Sequence, residues 1–256
     1  MFFLGIIAVS CVPSKKRVYL QEGKELKHRK DLIKDSVIRT HLMRETEYRI
    51  QPLDILSINF ESITAQEYDF FSKIAPQGNS SGSAFQIING ILVDLEGNVE
   101  YPVVGKMNIG GLTIFEAQTK LQEIANQFLK DAVVRIRVLN FRFTVLGEVN
   151  GEGVVNSTNT RVTMMEAIGL AGGFSELADR ENIKIIRQKG NMYDVFYVNL
   201  LEERYTESLY YFVQQNDIII VPPLGQRTFT RYFASNLSLW SSTLSAILVI
   251  VTLINR

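Results

Sequence analysis

One thiol and one row of hydroxyls carry the most specific chemistry in this chain. Cys11 follows MFFLGIIAVS, an apolar start with small Ala8 and Ser10 just before the sulfur. That resembles the cleavage box of a bacterial lipoprotein, in which the cysteine becomes the lipidated first residue. No Lys or Arg precedes the apolar run, and the run is short for a secretory signal, which leaves room for a start codon upstream. The other reading of Cys11 is a buried thiol in an uncleaved N-terminal anchor. It is the only cysteine, so no intramolecular disulfide is possible.

The hydroxyls lie at the other end. Leu237 to Ile254 reads LSLWSSTLSAILVIVTLI, without charge, Gly or Pro. As a helix it extends ~27 Å, close to the ~30 Å apolar thickness of a bilayer. Arg227 and Arg231 precede it, Arg256 follows it, and Tyr232, Phe233 and Trp240 sit near one end, where a membrane interface favours aromatic rings. At about 100° per residue, Ser238, Ser241, Ser242, Ser245 and Thr252 fall within an arc of roughly 100°. Leu239, Leu244, Ile247, Ile250, Val251 and Ile254 fall elsewhere, and only Thr243 breaks the pattern. Such a helix wants lipid on one side. Its polar side meets either water in a pore or a neighbouring helix, its hydroxyls in the second case bonding back to their own carbonyls.

Catalytic chemistry is sparse. Gly-x-Ser-x-Gly, His-Glu-x-x-His and Cys-x-x-Cys are all absent. His28 and His41 both lie in a charged stretch over residues 12–46, read as a solvated tether with a short helix around Leu26 to Ile38. A Ser–His–Asp site would need one of them as its base, and a base needs a rigid position. An Asp/Glu pair is the remaining enzymatic option. Yet Asp54, Asp94 and Asp217 stand at strand and turn boundaries, where carboxylates cap backbone groups. The chain is therefore read as no enzyme, with no metal or cofactor. Lys and Arg total 27 against 27 Asp and Glu, and no basic patch interleaved with aromatics points to nucleic acid.

Two α+β units stand between the ends. In the first, a turn at Gln51-Pro52 leads into alternating Ile55 to Ile58, and APQGNSSGSA at 75–84 reads as a loop. Gln86 to Val104 reads as a β-hairpin about Glu96-Gly97-Asn98. Thr113-Ile114-Phe115-Glu116 is a capping box, followed by Ala117, Leu121, Ile124, Ala125 and Phe128 at helical spacing and a strand over Val133 to Leu139. The second unit opens with Phe141 to Val149 and turns at Gly151 and Gly153. Thr163 to Glu166 is a second capping box, with Gly172-Gly173 ending its helix. Strands at Ile183 to Gln188 and Asp194 to Leu200 flank a Gly190-Asn191 turn, and Asp217 to Pro223 closes the unit. Leu112-Thr113…Glu116-Ala117 echoes Val162-Thr163…Glu166-Ala167 fifty positions later, which suggests two modules, each a sheet with one helix on it.

These residues, in this order, resemble a known family. YRIQPLDILSI is similar to the opening signature of the bacterial polysaccharide export domain. The pattern continues through Asp94-Leu95-Glu96-Gly97-Asn98, Tyr101-Pro102, Gly105, Gly111-Leu112-Thr113 and Glu116-Ala117. The second unit resembles the soluble-ligand-binding β-grasp (SLBB) module that follows in that family. The matching residues are Val145 to Val149, Glu166 to Phe174, Ala178-Asp179, Ile185-Ile186-Arg187 and Asp217 to Pro222. Gly151-Glu152-Gly153 departs from the family's usual Pro-Gly, though glycine still supplies the turn.

The resemblance implies an α+β lipoprotein of two periplasmic modules with a C-terminal transmembrane helix, at the outer membrane. Its expected parts are residues 1–11 as signal and lipidation site, 12–46 as tether, 47–140 as polysaccharide export domain, 141–225 as SLBB β-grasp domain and 226–256 as membrane helix. The implied function is a ring-shaped homo-oligomer that conducts capsular or exopolysaccharide from periplasm to cell surface. The implied partners are the polysaccharide, membrane lipid and an inner-membrane polysaccharide co-polymerase, often with a tyrosine kinase. The alternative is a membrane-anchored adaptor that binds glycan or a partner without a pore.

Overall fold

A computed structural model describes residues 16–22, 36–43, 47–61, 90–101 and 105–225, and, near the C-terminus, residues 242, 245, 247 and 250–254. Cys11, His28, Ser238 and Ser241 lie outside the described residues, as do the glycine-rich segment 75–84 and most of the helix expected around Leu26 to Ile38.

The first unit holds β1 (Ile55–Glu61), β2 (Ile91–Leu92), β3 (Asn98–Tyr101), β4 (Gly105–Asn108), α1 (Ile114–Ala125) and β5 (Val133–Val138). β1 is the centre of a three-stranded antiparallel sheet, order β2-β1-β5, with Leu56 opposite Val138 and Ile58 opposite Ile136. Burial alternates strictly along β5, so one face of the sheet is the core face. α1 covers that face with Ala117, Leu121 and Ala125. It is tied to β5 by Gln122, whose amide donates to the Ala132 carbonyl and whose oxygen accepts from Val134 N–H at 2.9 Å. Phe128, read from spacing as part of this apolar stripe, lies beyond the helix end and is exposed.

The hairpin expected over Gln86 to Val104 is replaced by two separate pairings. β2 pairs with β1, and β3 pairs with β4. The cause is the turn itself. The Asp94 carboxylate accepts from Glu96 N–H at 3.0 Å and Asn98 N–H at 2.7 Å. Gly97, at φ +84, lies so close to Gly110 that a Cβ would come within 2.9 Å of the Gly110 Cα. Its carbonyl accepts from both Ile109 and Gly110 N–H. The turn is thereby docked on the segment leading into α1, and β3 follows that segment.

The second unit holds β6 (Arg142–Gly147), β7 (Gly153–Asn156), α2 (Met164–Leu170), β8 (Ile183–Lys189), β9 (Met192–Val198), a 3-10 turn (Glu203–Glu207) and β10 (Ile218–Val221). Its sheet order is β7-β6-β10-β8-β9. The last strand therefore enters the middle, parallel to β6 and antiparallel to β8. Gly147 permits that central pairing, since a Cβ there would sit 2.1 Å from the Val221 carbonyl oxygen. Both capping boxes form as expected, Thr113 with Glu116 and Thr163 with Glu166. The Gly151 to Gly153 turn is closed by Glu152, whose carboxylate accepts from Gly147 N–H.

One buried apolar cluster runs through both units, from Ile50, Leu56 and Leu121 to Phe143, Ile185 and Ile219. At the junction Tyr48 meets Phe141 edge-on, with ring centroids 5.7 Å apart. Asn140 binds both sides: its side chain accepts from Ile55 N–H and donates to the Leu53 carbonyl, and its own carbonyl accepts from Gln215. Gln215 in turn accepts from Arg142 N–H at 2.8 Å.

The stretch 12–46 is not wholly a solvated spacer. Leu20 N–H donates to the Leu200 carbonyl and Glu203 N–H to the Gln21 carbonyl. Tyr19 stacks on Phe174, and the Arg180 guanidinium lies over both rings. Farther along, Arg39 binds Glu203 through two nitrogens, and His41 lies 2.9 Å from Glu203 and 2.6 Å from Glu207. Two pieces of the stretch thus strap the outer end of the second unit.

Candidate functional site

The junction between the units opens on one side into a cleft of about 830 Å³. One wall comes from the first unit: Glu47 to Pro52, with Gly111 and Thr113 to Phe115 at the start of α1. The other comes from the second unit: Thr160 and Arg161 ahead of α2, and Phe212 to Gln214 ahead of β10.

The two walls are built alike. In the first, Arg49 forms a β-bridge to the N-cap Thr113, and Ile50 N–H donates to the Leu112 carbonyl at 2.9 Å. In the second, Phe212 bridges to the N-cap Thr163, and Val213 N–H donates to the Val162 carbonyl at 2.9 Å. Next in each wall comes a glutamine whose backbone N–H is held by an aspartate three residues on. Gln51 donates to Asp54 at 2.8 Å, and Gln214 to Asp217 at 2.8 Å. The residue before each aspartate takes a left-handed backbone, Leu53 at φ 70 and Asn216 at φ 62. So Gln51-Pro52-Leu53-Asp54 and Gln214-Gln215-Asn216-Asp217 are the same turn, used twice, one on each side of the cleft.

Both aspartates are buried and have structural partners, as their turn positions predict. Burial pushes the Asp54 carboxyl up, opposed by the Tyr48 hydroxyl donating at 2.6 Å and by Gln51 N–H. Burial, with Asp54 beside it, also pushes the Tyr48 phenol well up, so Tyr48 keeps its proton. Burial raises Asp217 too, while two bonds from Arg187 at 2.9 and 2.7 Å favour its ionised form. Asp94 is held below the usual carboxylate range, chiefly by Asn98 N–H.

The glutamines themselves line the cleft together with Thr160, the exposed ring of Phe115 and two guanidiniums. Arg49 donates to the Gly111 carbonyl at 2.8 Å and lies 3.4 Å from Glu116. Arg161 lies over the Phe212 ring at 4.9 Å. Glu47 is the one carboxylate among the lining residues. The cleft offers amide, hydroxyl and guanidinium donors beside an apolar ring. That set suits hydrogen bonding to a hydroxyl-rich ligand.

Of the residues predicted to form the pore or contact face, Ser242, Ser245 and Thr252 are helical and exposed. At 100° per residue they span an arc of about 80°. The Ser245 hydroxyl donates back to the Ser242 carbonyl at 3.0 Å. Among the described residues no helix is long and apolar enough to cross a membrane, and most of the span Leu237 to Ile254 lies outside them. The cleft residues were not legible as a site. Their one signal is the repeated Gln-x-x-Asp, hidden because the turn precedes the helix in the first unit and follows it in the second.

Residues 43–139 match the polysaccharide biosynthesis/export protein family, and residues 141–221 match the SLBB domain. Two curated relatives are each called an EPS I polysaccharide export outer membrane protein. One, from Ralstonia solanacearum, is 30% identical over 159 residues, covering 57% of this chain and 40% of the relative. Another, from Ralstonia nicotianae, is 28% identical over the same length and shares. The match thus spans well under half the length of either relative.

Proposed function

The chain belongs to the polysaccharide biosynthesis/export family, its export domain followed by an SLBB domain, and from that premise we propose that it exports a polysaccharide across the outer membrane. The observation that carries this reading is the unbroken order of the two domains in one chain, joined through Asn140 and a common core. In the proposal the chain is tethered by lipidated Cys11, keeps both domains in the periplasm, and assembles into a closed homo-oligomeric ring. Ser238, Ser241, Ser242, Ser245 and Thr252 line the lumen of a pore made by the C-terminal helices. Neutral hydroxyls suit that task, since they exchange hydrogen bonds with sugar hydroxyls without holding a charge against them. Driving force comes from synthesis and from an inner-membrane co-polymerase, and the chain itself hydrolyses nothing.

The test is the assembled mass of the full chain extracted in mild detergent, beside a chain cut after Gly225. A ring that loses membrane association on truncation is the expected outcome. A monomer or dimer in both forms would instead fit an anchored adaptor, with the serine row reduced to helix packing.

A further inference from the structure

We propose that copies of this chain join edge to edge through their five-stranded sheets, β9 of one copy pairing antiparallel with β7 of the next. The inference rests on the ring reading above and adds the surface by which the ring closes. The two sheets of the chain treat their edges differently. An edge strand carries unpaired N–H and C=O groups, and a protein that does not use such an edge shortens or charges it. The first sheet does both: β2 has two residues, and β5 carries exposed Arg135 and Arg137. The second sheet does neither. Among the described residues β7 and β9 are its edges, with no strand beyond either. β7 reads GVVN, without a charge. β9 has seven residues, MYDVFYV, and its one charge, Asp194, lies 3.9 Å from Lys189. Asp194 alternates onto the face of Phe196, which stacks on Tyr210. The opposite face of β9 presents Tyr193, Val195 and Tyr197, all exposed.

The two edges fit each other. Cross-strand partners set Val154, Thr144, Ile218, Ile186 and Val195 in one row across the outer face of the sheet. The ends of the row are exposed, Val154 at 58% and Val195 at 53%. β7 is antiparallel to β6, β6 parallel to β10, and β10 and β9 each antiparallel to β8, so β7 and β9 run in opposite directions. A copy repeated along the row therefore offers β7 to β9 in the antiparallel sense, and the row runs on from Val195 to the next Val154. Because side chains alternate, outer faces match only with Val154 opposite Tyr193, Val195 or Tyr197. Each is a β-branched or aromatic pair of the kind that stabilises a sheet. Charge agrees: exposed Glu152 directly precedes β7, and Lys184 stands opposite Tyr197 beside the β9 edge. Area then selects a ring over a pair. An edge ~24 Å long on a sheet ~10 Å thick covers ~240 Å², far below the ~800 Å² per partner of a stable complex. A closed ring holds every copy on both sides, whereas pairing β9 with a second β9 about a two-fold axis leaves β7 bare.

The experiment measures the assembled mass of the full-length protein in mild detergent, for the parent and for variants at the two ends of the row. Val195→Lys should lower the ring fraction at least about tenfold, since an edge lysine refuses a strand partner. Adding Val154→Glu should restore the ring, because each new lysine then meets a glutamate on the next copy. Cysteine pairs test the same joint without a charge, as facing residues of an antiparallel pair lie within disulfide reach. Val154→Cys combined with Tyr193→Cys, Val195→Cys or Tyr197→Cys should, in one of the three chains, give on oxidation a ladder of linked copies beyond the dimer. The single variants should link no more than the parent, which carries Cys11. A parent ring unmoved by Val195→Lys, a dispersed ring that Val154→Glu does not rescue, or no ladder from any pair overturns the joint and leaves the ring standing. A dimer from Val195→Cys alone also overturns it, in favour of β9 paired with β9. A parent that is a monomer or dimer overturns the ring reading, and the joint with it.

Discussion

Asp217 shows what a single side chain does here. It has no exposure, receives two bonds from Arg187 and also fixes the Gln214 turn. Removing its charge strands a guanidinium that is only 9% exposed. Breaking such a pair costs about 3–5 kcal/mol, whereas replacing both partners is close to neutral. Asp217→Asn should therefore lower the urea midpoint strongly, and adding Arg187→Met should recover most of the loss; an uncorrected double variant would show that the pair is not what holds the turn. Leu53 is the opposite case. Its left-handed backbone costs a side chain about 1–2 kcal/mol, and at 58% exposed its packing offsets little of that. Leu53→Gly should raise stability by about 1 kcal/mol or slightly less, because glycine is freer in the unfolded chain. Asn216→Gly should gain less, since asparagine tolerates that conformation.

At the scale of elements, legibility tracked the range of the forces. Both capping boxes were readable because each closes within four residues, Thr113 to Glu116 and Thr163 to Glu166. The pairing of β3 was not, because it is decided by Gly97 meeting Gly110 thirteen residues later. The strap was invisible for the same reason: Arg39 and His41 find their carboxylates more than 160 residues away. Its geometry makes a pH prediction. Both ring nitrogens of His41 meet carboxylate oxygens, and only the imidazolium can donate from both. Hydrogen bonds that His41 donates to Glu207 and then to Glu203 raise its pKa above 6.5, and Arg39 foremost holds Glu203 below the usual carboxylate range. Arg39 is bound to Glu203, and among the described residues Arg204 on the 3-10 turn is a further cation next to Glu203 in sequence. A histidine with a raised folded pKa adds stability that is complete below 6.5 and fades as pH rises through the folded value. Ring-proton NMR of a His28→Gln chain should show His41 titrating above 6.5, and Glu207→Gln should move it back. A titration at the ordinary value in both chains would mean that the strap is not docked through this pair.

At the scale of the whole molecule, the question is whether two domains act as one body. A flexible linker would let each unit open alone, as domains with small polar interfaces do. Here a single residue, Asn140, separates the two matched spans; it is hydrogen-bonded to Ile55, Leu53 and Gln215, and the apolar cluster continues from one unit into the other. A cleft whose walls belong to different units can keep its width only if that junction holds. It follows that the strands of both units should open together. Native-state hydrogen exchange should give β1 and β5 the same opening free energy as β6 and β10, since cooperative units exchange as blocks. Asn140→Ala combined with Gln215→Ala removes the bridge while sparing the core side chains on either side. It should split that common value, with the smaller first sheet opening more easily than the five-stranded one. Unequal exchange in the parent chain would show instead that each domain stands alone and that the cleft is only the gap between them.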